Sequence, residues 1–235
     1  MIKHIKTYLT VLLMIIFLLP MQASAAERWI QSNIFEDGLE YFDVQTLKYH
    51  PENDTVTGWI GQKNKADGPV VEMEEVKIYL HSKTYIKTKS IWYDPKQKSF
   101  VDMSSRISHA ESAIWPDSTV EKMAAYVCKM ANVESVFSVP DNRWQWIYST
   151  DTYTCTYARD TLIVDKVRQQ VEFFEKQDIV PDGYYEDGKH PITYVRCNLV
   201  DGTVSYSRDK KHWQTNFAYP ESNEEKLLNF AKTLF

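Results

Sequence analysis

Trp115-Pro116-Asp117-Ser118-Thr119-Val120-Glu121-Lys122-Met123 is matched near the end of the chain by Tyr219-Pro220-Glu221-Ser222-Asn223-Glu224-Glu225-Lys226-Leu227. Each stretch spells aromatic, Pro, acid, Ser, two free positions, Glu, Lys and a large apolar residue. A Ser at the N-cap accepts a hydrogen bond from an orphan N–H of the first turn, and a Glu three residues on reaches back to the cap. Pro upstream keeps the approach extended. Both stretches therefore start helices. Their spacing of 104 residues predicts a duplicated unit of domain size.

The first helix is predicted from Ser118 to about Ala131. Val120, Met123, Ala124, Val127, Cys128 and Ala131 fall on one stripe that must be covered. Strands upstream supply the cover. They are expected at Arg28–Ser32, Leu39–Leu47 and Val56–Ile60, with a last one at Ser99–Ile107. The clearest signal is a hairpin, in which Val76, Ile78 and Leu80 alternate with Glu75, Lys77 and Tyr79. After a turn near Ser82, Thr84, Ile86 and Thr88 alternate with Tyr85, Lys87 and Lys89.

In the second copy, Trp146-Ile147-Tyr148-Ser149 echoes Trp29-Ile30-Gln31-Ser32, and Asp160 falls where Asp43 does, both 117 residues on. Val171-Glu172-Phe173-Phe174 sits where Val56-Thr57-Gly58-Trp59 sits. Pro181-Asp182-Gly183 and Glu186-Asp187-Gly188 mark loops. Ile192–Leu199 and Thr203–Tyr206 flank an Asp201-Gly202 turn. The final helix places Leu227, Leu228, Ala231, Leu234 and Phe235 on one face. The expected fold is α+β: two tandem domains, 26–132 and 143–235, joined by 133–142, each an antiparallel β-sheet with one C-terminal helix packed on it.

Residues 1–25 have the form of a secretory signal. Lys3 and Lys6 precede an apolar run from Tyr8 to Leu19, Pro20 ends it, and Ala23-Ser24-Ala25 offers a small-x-small cleavage site. The run is too short to span a bilayer, so no membrane span is expected after cleavage. The mature chain then carries 25 basic and 32 acidic side chains, a formal charge of −7. That balance opposes nucleic acid as a partner. Cys128, Cys155 and Cys197 are widely spaced, and an oxidising compartment predicts one disulfide and one free thiol. No close Cys or His pair suggests zinc.

The ordered set of an opening Trp-Ile strand, Asp43 and Asp160, Val56 with Trp59, Val171 with Phe174, and the closing Pro-acid-Ser-x-x-Glu helices resembles the surface-adhesin protein E family, in two tandem, divergent copies. The resemblance covers nearly the whole mature chain. It implies a non-enzymatic module at the surface or in the periplasm, in some members binding host matrix or plasma proteins. In that family a strand Cys and a terminal-helix Cys occur together. Here the first copy has Cys128 on its helix and Leu80 on its strand, whereas the second has Cys197 on its strand and Lys232 on its helix. Cys197 is left to pair with Cys155 or with Cys128, and Cys155–Cys197 is preferred.

No Gly-x-Ser-x-Gly elbow, phosphate-cradling Gly loop or His-Glu-x-x-His helix is present, so no catalytic residue, cofactor or metal is assigned. His109 with Glu111 makes at most two metal ligands. Asp117 with Glu121 and Glu221 with Glu225 are explained by capping rather than by paired-acid catalysis. The candidate ligand patch is a basic ribbon of Lys83, Tyr85, Lys87, Lys89, Lys96 and Lys98. A solvated strand face balanced by Glu72, Glu74 and Glu75 is the plainer account of it. Arg208, Lys210, Lys211 and His212 form a second basic cluster, weighed the same way. The expected function is an exported binding module for a protein or polymer ligand, with an envelope structural or assembly protein as the alternative.

Overall fold

The computed structural model describes residues 28–35, 38–65, 68–179 and 192–235. The leader expected at 1–25 and the loops expected at 181–183 and 186–188 lie outside the described residues. The chain forms two antiparallel sheets and two α-helices. No helix among the described residues is long and apolar enough to cross a membrane.

The first sheet runs β1 (Trp29–Phe35), β2 (Gly38–Asp43), β4 (Thr55–Lys63), β5 (Val70–Tyr79), β6 (Thr84–Asp94) and β7 (Ser99–Asp102), in that spatial order. Short strands β3 (Lys48–His50) and β8 (Ser112–Ala113) pair with β4 and β6. Helix α1 (Thr119–Met130) covers its inner face. Val120, Met123, Ala124, Val127 and Cys128 pack there against Phe42, Val56, Val76, Ile78 and Leu80. The last strand ends earlier than expected, because a 3-10 turn at Ser104–Arg106 follows it.

The second sheet runs β15 (Gln214–Phe217), β14 (Thr203–Ser207), β13 (Ile192–Asn198), β12 (Gln170–Ile179), β10 (Tyr153–Ala158) and β9 (Trp144–Ser149), and β11 (Ile163–Asp165) pairs with β12. Helix α2 (Asn223–Lys232) lays Leu227, Leu228 and Ala231 on Val171, Phe173, Val195 and Val204. It stops before Phe235, which is exposed. β15 has no alternation of apolar residues to announce it. It is a polar edge strand paired with β14, and Asn216 also donates to Glu224 of α2.

The same local bonds recur in both sheets. Val44 N–H donates to Arg28 C=O, and Arg159 N–H to Arg143 C=O. Thr46 and Thr161 each receive the N–H of a β-strand residue, Trp59 and Phe174 respectively. Pairing shifts at Ser32 in β1 and at Ile147 in β9. The matching pairs lie 115 residues apart, so Trp144, not Trp146, answers Trp29. Ile78 faces Val56 as Cys197 faces Val171, which makes Ile78 rather than Leu80 the match of Cys197.

Both caps form with one change from expectation. Ser118 Oγ accepts the Glu121 N–H at 3.2 Å, and Ser222 Oγ accepts the Glu225 N–H at 3.1 Å. The two glutamates reach one residue beyond the cap, to the N–H groups of Asp117 (2.8 Å) and Glu221 (2.6 Å). The reason is backbone geometry. Asp117 and Glu221 stand at φ 60° and 66°, which turns their N–H groups towards the helix start, while the Ser N–H groups close back on Trp115 and Tyr219. Replacing Ser118 or Ser222 by Ala is expected to lower stability by about 1 kcal/mol each. The change is read as a lower urea midpoint with unchanged slope.

Candidate functional site

The basic ribbon divides into separate parts. Lys87 Nζ donates to Glu74 at 2.7 Å, and Lys89 lies 3.4 Å from Glu75. Tyr85 turns inward and packs on the first core instead of lining a ligand face. The cause is a bulge: Thr88 is left out of the β5–β6 register and bonds Glu75 instead, so the facing pattern changes midway along β6. Lys83, before β6, lies over the Phe137 ring. Lys96 and Lys98 sit beyond its other end, about 30 Å away for a strand of this length. The six residues thus do not gather into one surface. His109 is bonded to the Lys87 carbonyl and Glu111 to Thr84.

The three cysteines are buried free thiols. The preferred Cys155–Cys197 bridge is not formed. Their strands flank β12, where Cys155 stands opposite Gln177 and Cys197 opposite Val171, well apart along the strand. Burial pushes the Cys128 thiol up to about 11 and Cys197 up to about 12, with Cys155 raised further. Such thiols are protonated at neutral pH and weakly nucleophilic.

Chemistry-bearing side chains converge on the outer face of the second sheet, at two adjoining places. The first is the joint between the halves of the molecule. Arg143, preceding β9, is 5% exposed; its Nε and Nη2 donate to Asp160 at 3.0 and 2.8 Å, and its Nη1 donates to Glu121 of α1 at 2.7 Å. Burial opposes the charge on Arg143, but the bonds to Glu121 and Asp160 outweigh it and hold its pKa above the ordinary value. Trp144 Nε1 donates to Asp117 at 3.0 Å, and Trp115 meets Phe174 edge-on at 4.8 Å.

The second place adjoins it. Lys210, in the β14–β15 turn, lies 3.9 Å from the centre of the Tyr194 ring and 4.7 Å from that of Phe174, and this burial lowers its pKa. Arg196 lies 4.0 Å from the Trp213 ring centre and donates to Glu172, which also accepts from Tyr194. Within the turn, Asp209 is held far below the usual carboxylate range by the His212 N–H, the His212 ring and the Lys211 N–H. The turn is therefore closed by hydrogen bonds from Lys211 and His212 onto one carboxylate.

Beside it opens a groove of about 550 Å³, walled by Thr193, Tyr206, Ser207, Arg208, His212, Trp213 and Gln214, with the Asp209 carboxylate also on its wall, turned to the Lys211 and His212 N–H groups. Arg208 is exposed and has no ion pair among the described residues. The groove thus offers an exposed guanidinium, amide and hydroxyl groups and an indole wall, which suits an acidic group on an extended ligand. Among the described residues, no three His, Cys, Asp or Glu side chains converge to hold a metal ion.

The charge of this cluster was visible in sequence. Its aromatic bed was not, because Tyr194 and Phe174 lie 16 and 36 residues upstream of Lys210. No family model, curated protein or solved structure matches the chain.

Proposed function

We propose that this is an exported, non-enzymatic binding module of two related units, similar to the surface-adhesin protein E family, acting in the periplasm or at the cell surface. Its ligand is a polymer or protein segment bearing acidic groups, taken in the groove beside Trp213. The observation that carries the reading is the hydrogen-bonded Asp209–His212 turn, which presents Arg208, without an ion pair among the described residues, next to an indole wall. The reading of two units rests on the matched caps, the matched Arg–Asp corners and the repeated register shifts.

The test is binding of the chain from Ala26 onward to polyglutamate and to dextran sulfate. Arg208→Ala and Trp213→Ala are each expected to weaken binding about tenfold. Binding should also fall steeply between about 50 and about 200 mM salt. Binding unchanged in both variants, with the fold intact, sinks the groove as the site. The alternative of an envelope assembly protein is favoured by a different observation: the exposed Arg28 and Tyr219 at opposite ends of the chain.

A further inference from the structure

The joint between the halves consists of one capping box seated on one Arg–Trp corner, and the chain carries a second example of each. Arg143 and Arg28 turn the same two donors to their acids, Arg143 to both oxygens of Asp160 and Arg28 to Oδ2 of Asp43. Nε and Nη2 go to Asp160 in one case and to Asp43 in the other. The third donor differs. Nη1 of Arg143 reaches Glu121, whereas Arg28 is 53% exposed and its Nη1 has no acceptor among the described residues.

At the far end, Glu225 holds the Glu221 N–H as Glu121 holds that of Asp117, but no arginine reaches it among the described residues. Trp115 accepts the Ser118 N–H and meets Phe174 edge-on; Tyr219 accepts the Ser222 N–H and is 68% exposed. In β4, Trp59 occupies the place of Phe174, its N–H on Thr46 as that of Phe174 is on Thr161.

We propose that the Tyr219–Glu225 corner of one chain docks on the Arg28, Trp29 and Trp59 corner of a second copy of this chain, repeating between molecules the joint seen within one. Tyr219 lies against Trp59, Glu225 takes the free Nη1 of Arg28, and Glu221 stands by Trp29 as Asp117 stands by Trp144. A second copy is the partner because both sides of the contact are present on this chain, with opposite charge and preformed geometry. The contact is head to tail, so it extends into open chains or closes into rings. The in-chain joint has the high effective concentration of a tether and the intermolecular one does not, so association is concentration-dependent. The proposal rests on the two-unit reading, not on the groove's ligand.

Sedimentation velocity on the chain from Ala26 onward tests it. The average mass is expected to rise with concentration past that of a dimer. Glu225→Gln retains the cap, since Gln serves at that position, yet weakens association at least about tenfold, as does Tyr219→Ser. Arg28→Ala acts from the other side. Should that variant not fold, Arg28→Lys replaces it, keeping a charge on Asp43 without the third donor. An equimolar mixture of an Arg28 variant with Glu225→Gln gives one-to-one pairs and nothing longer, because one competent head and one competent tail remain. A monomer at every concentration, or association indifferent to Glu225→Gln and Tyr219→Ser, overturns the contact. If such a monomer still loses stability on Arg143 substitution, this proposal alone fails and the two-unit reading stands.

Discussion

Arg143→Ala is expected to lower the unfolding free energy by about 3–5 kcal/mol, the cost of breaking a buried ion pair from one side. Removal of the guanidinium leaves Glu121, 6% exposed, and Asp160 without their cation. It also frees the corner that seats Trp144 on Asp117 and Trp115 on Phe174. An exposed ion pair would contribute at most about 1 kcal/mol and would fade in salt. This one is enclosed, so most of the loss should persist at about 0.5 M NaCl. Urea unfolding followed by tryptophan fluorescence measures it. The double variant Arg143→Met with Glu121→Gln should recover part of the loss, since it leaves fewer unpaired charges behind. A loss of less than about 1 kcal/mol for Arg143→Ala would place the pair among ordinary surface bridges and remove the joint as a structural element.

What could be seen in the sequence was local. Ser118 and Ser222 announce their helices because a cap acts over three or four residues, and the apolar stripe of α1 follows from a fixed period. The β5–β6 hairpin was legible for the same reason. What depended on register was not. A bulge adds one residue to one strand and leaves no reliable mark in composition. The shift at Thr88 therefore turned Tyr85 inward, and of the two tryptophans Trp144 and Trp146 only the strand pairing shows that Trp144 stands where Trp29 does. The joint was beyond reach for a third reason. Arg143 and Glu121 are 22 residues apart, and only the fold-back of residues 133–142 brings them together.

One position contradicts its own pattern, and it carries the other large prediction. Along β12 the inward residues are Val171, Phe173 and then Glu175, where the first sheet has Ile60. Glu175 is 1% exposed. Its Oε1 accepts from Gln177 at 2.6 Å, while Oε2 has no formed hydrogen bond among the described residues and the Cys155 thiol beside it is a weak donor. Among the described residues, the groups around it are Cys155 and Tyr153 of β10, Tyr148 of β9, Cys197 of β13, Tyr206 of β14 and Glu224 of α2, and none of these is a cation. Burial raises the Glu175 pKa above its ordinary 4.5, with Glu224 adding to the shift.

The folded state therefore holds a proton that the unfolded state gives up above about pH 4.5. Stability linked to this group is complete below that pH and declines as pH rises towards the folded value. Glu175→Ile, which copies Ile60, should raise stability at pH 7 by about 1–3 kcal/mol, the usual penalty of a buried, incompletely bonded polar group. It should also flatten the pH dependence above pH 4.5. Glu175→Gln separates the two effects, because it removes the titration and keeps a buried polar group. Unfolding curves between pH 4.5 and 8 decide the matter. A wild-type slope that survives unchanged in Glu175→Ile would mean that the carboxyl is not paying a burial penalty in the folded chain, and that its place among the tyrosines and thiols needs another account.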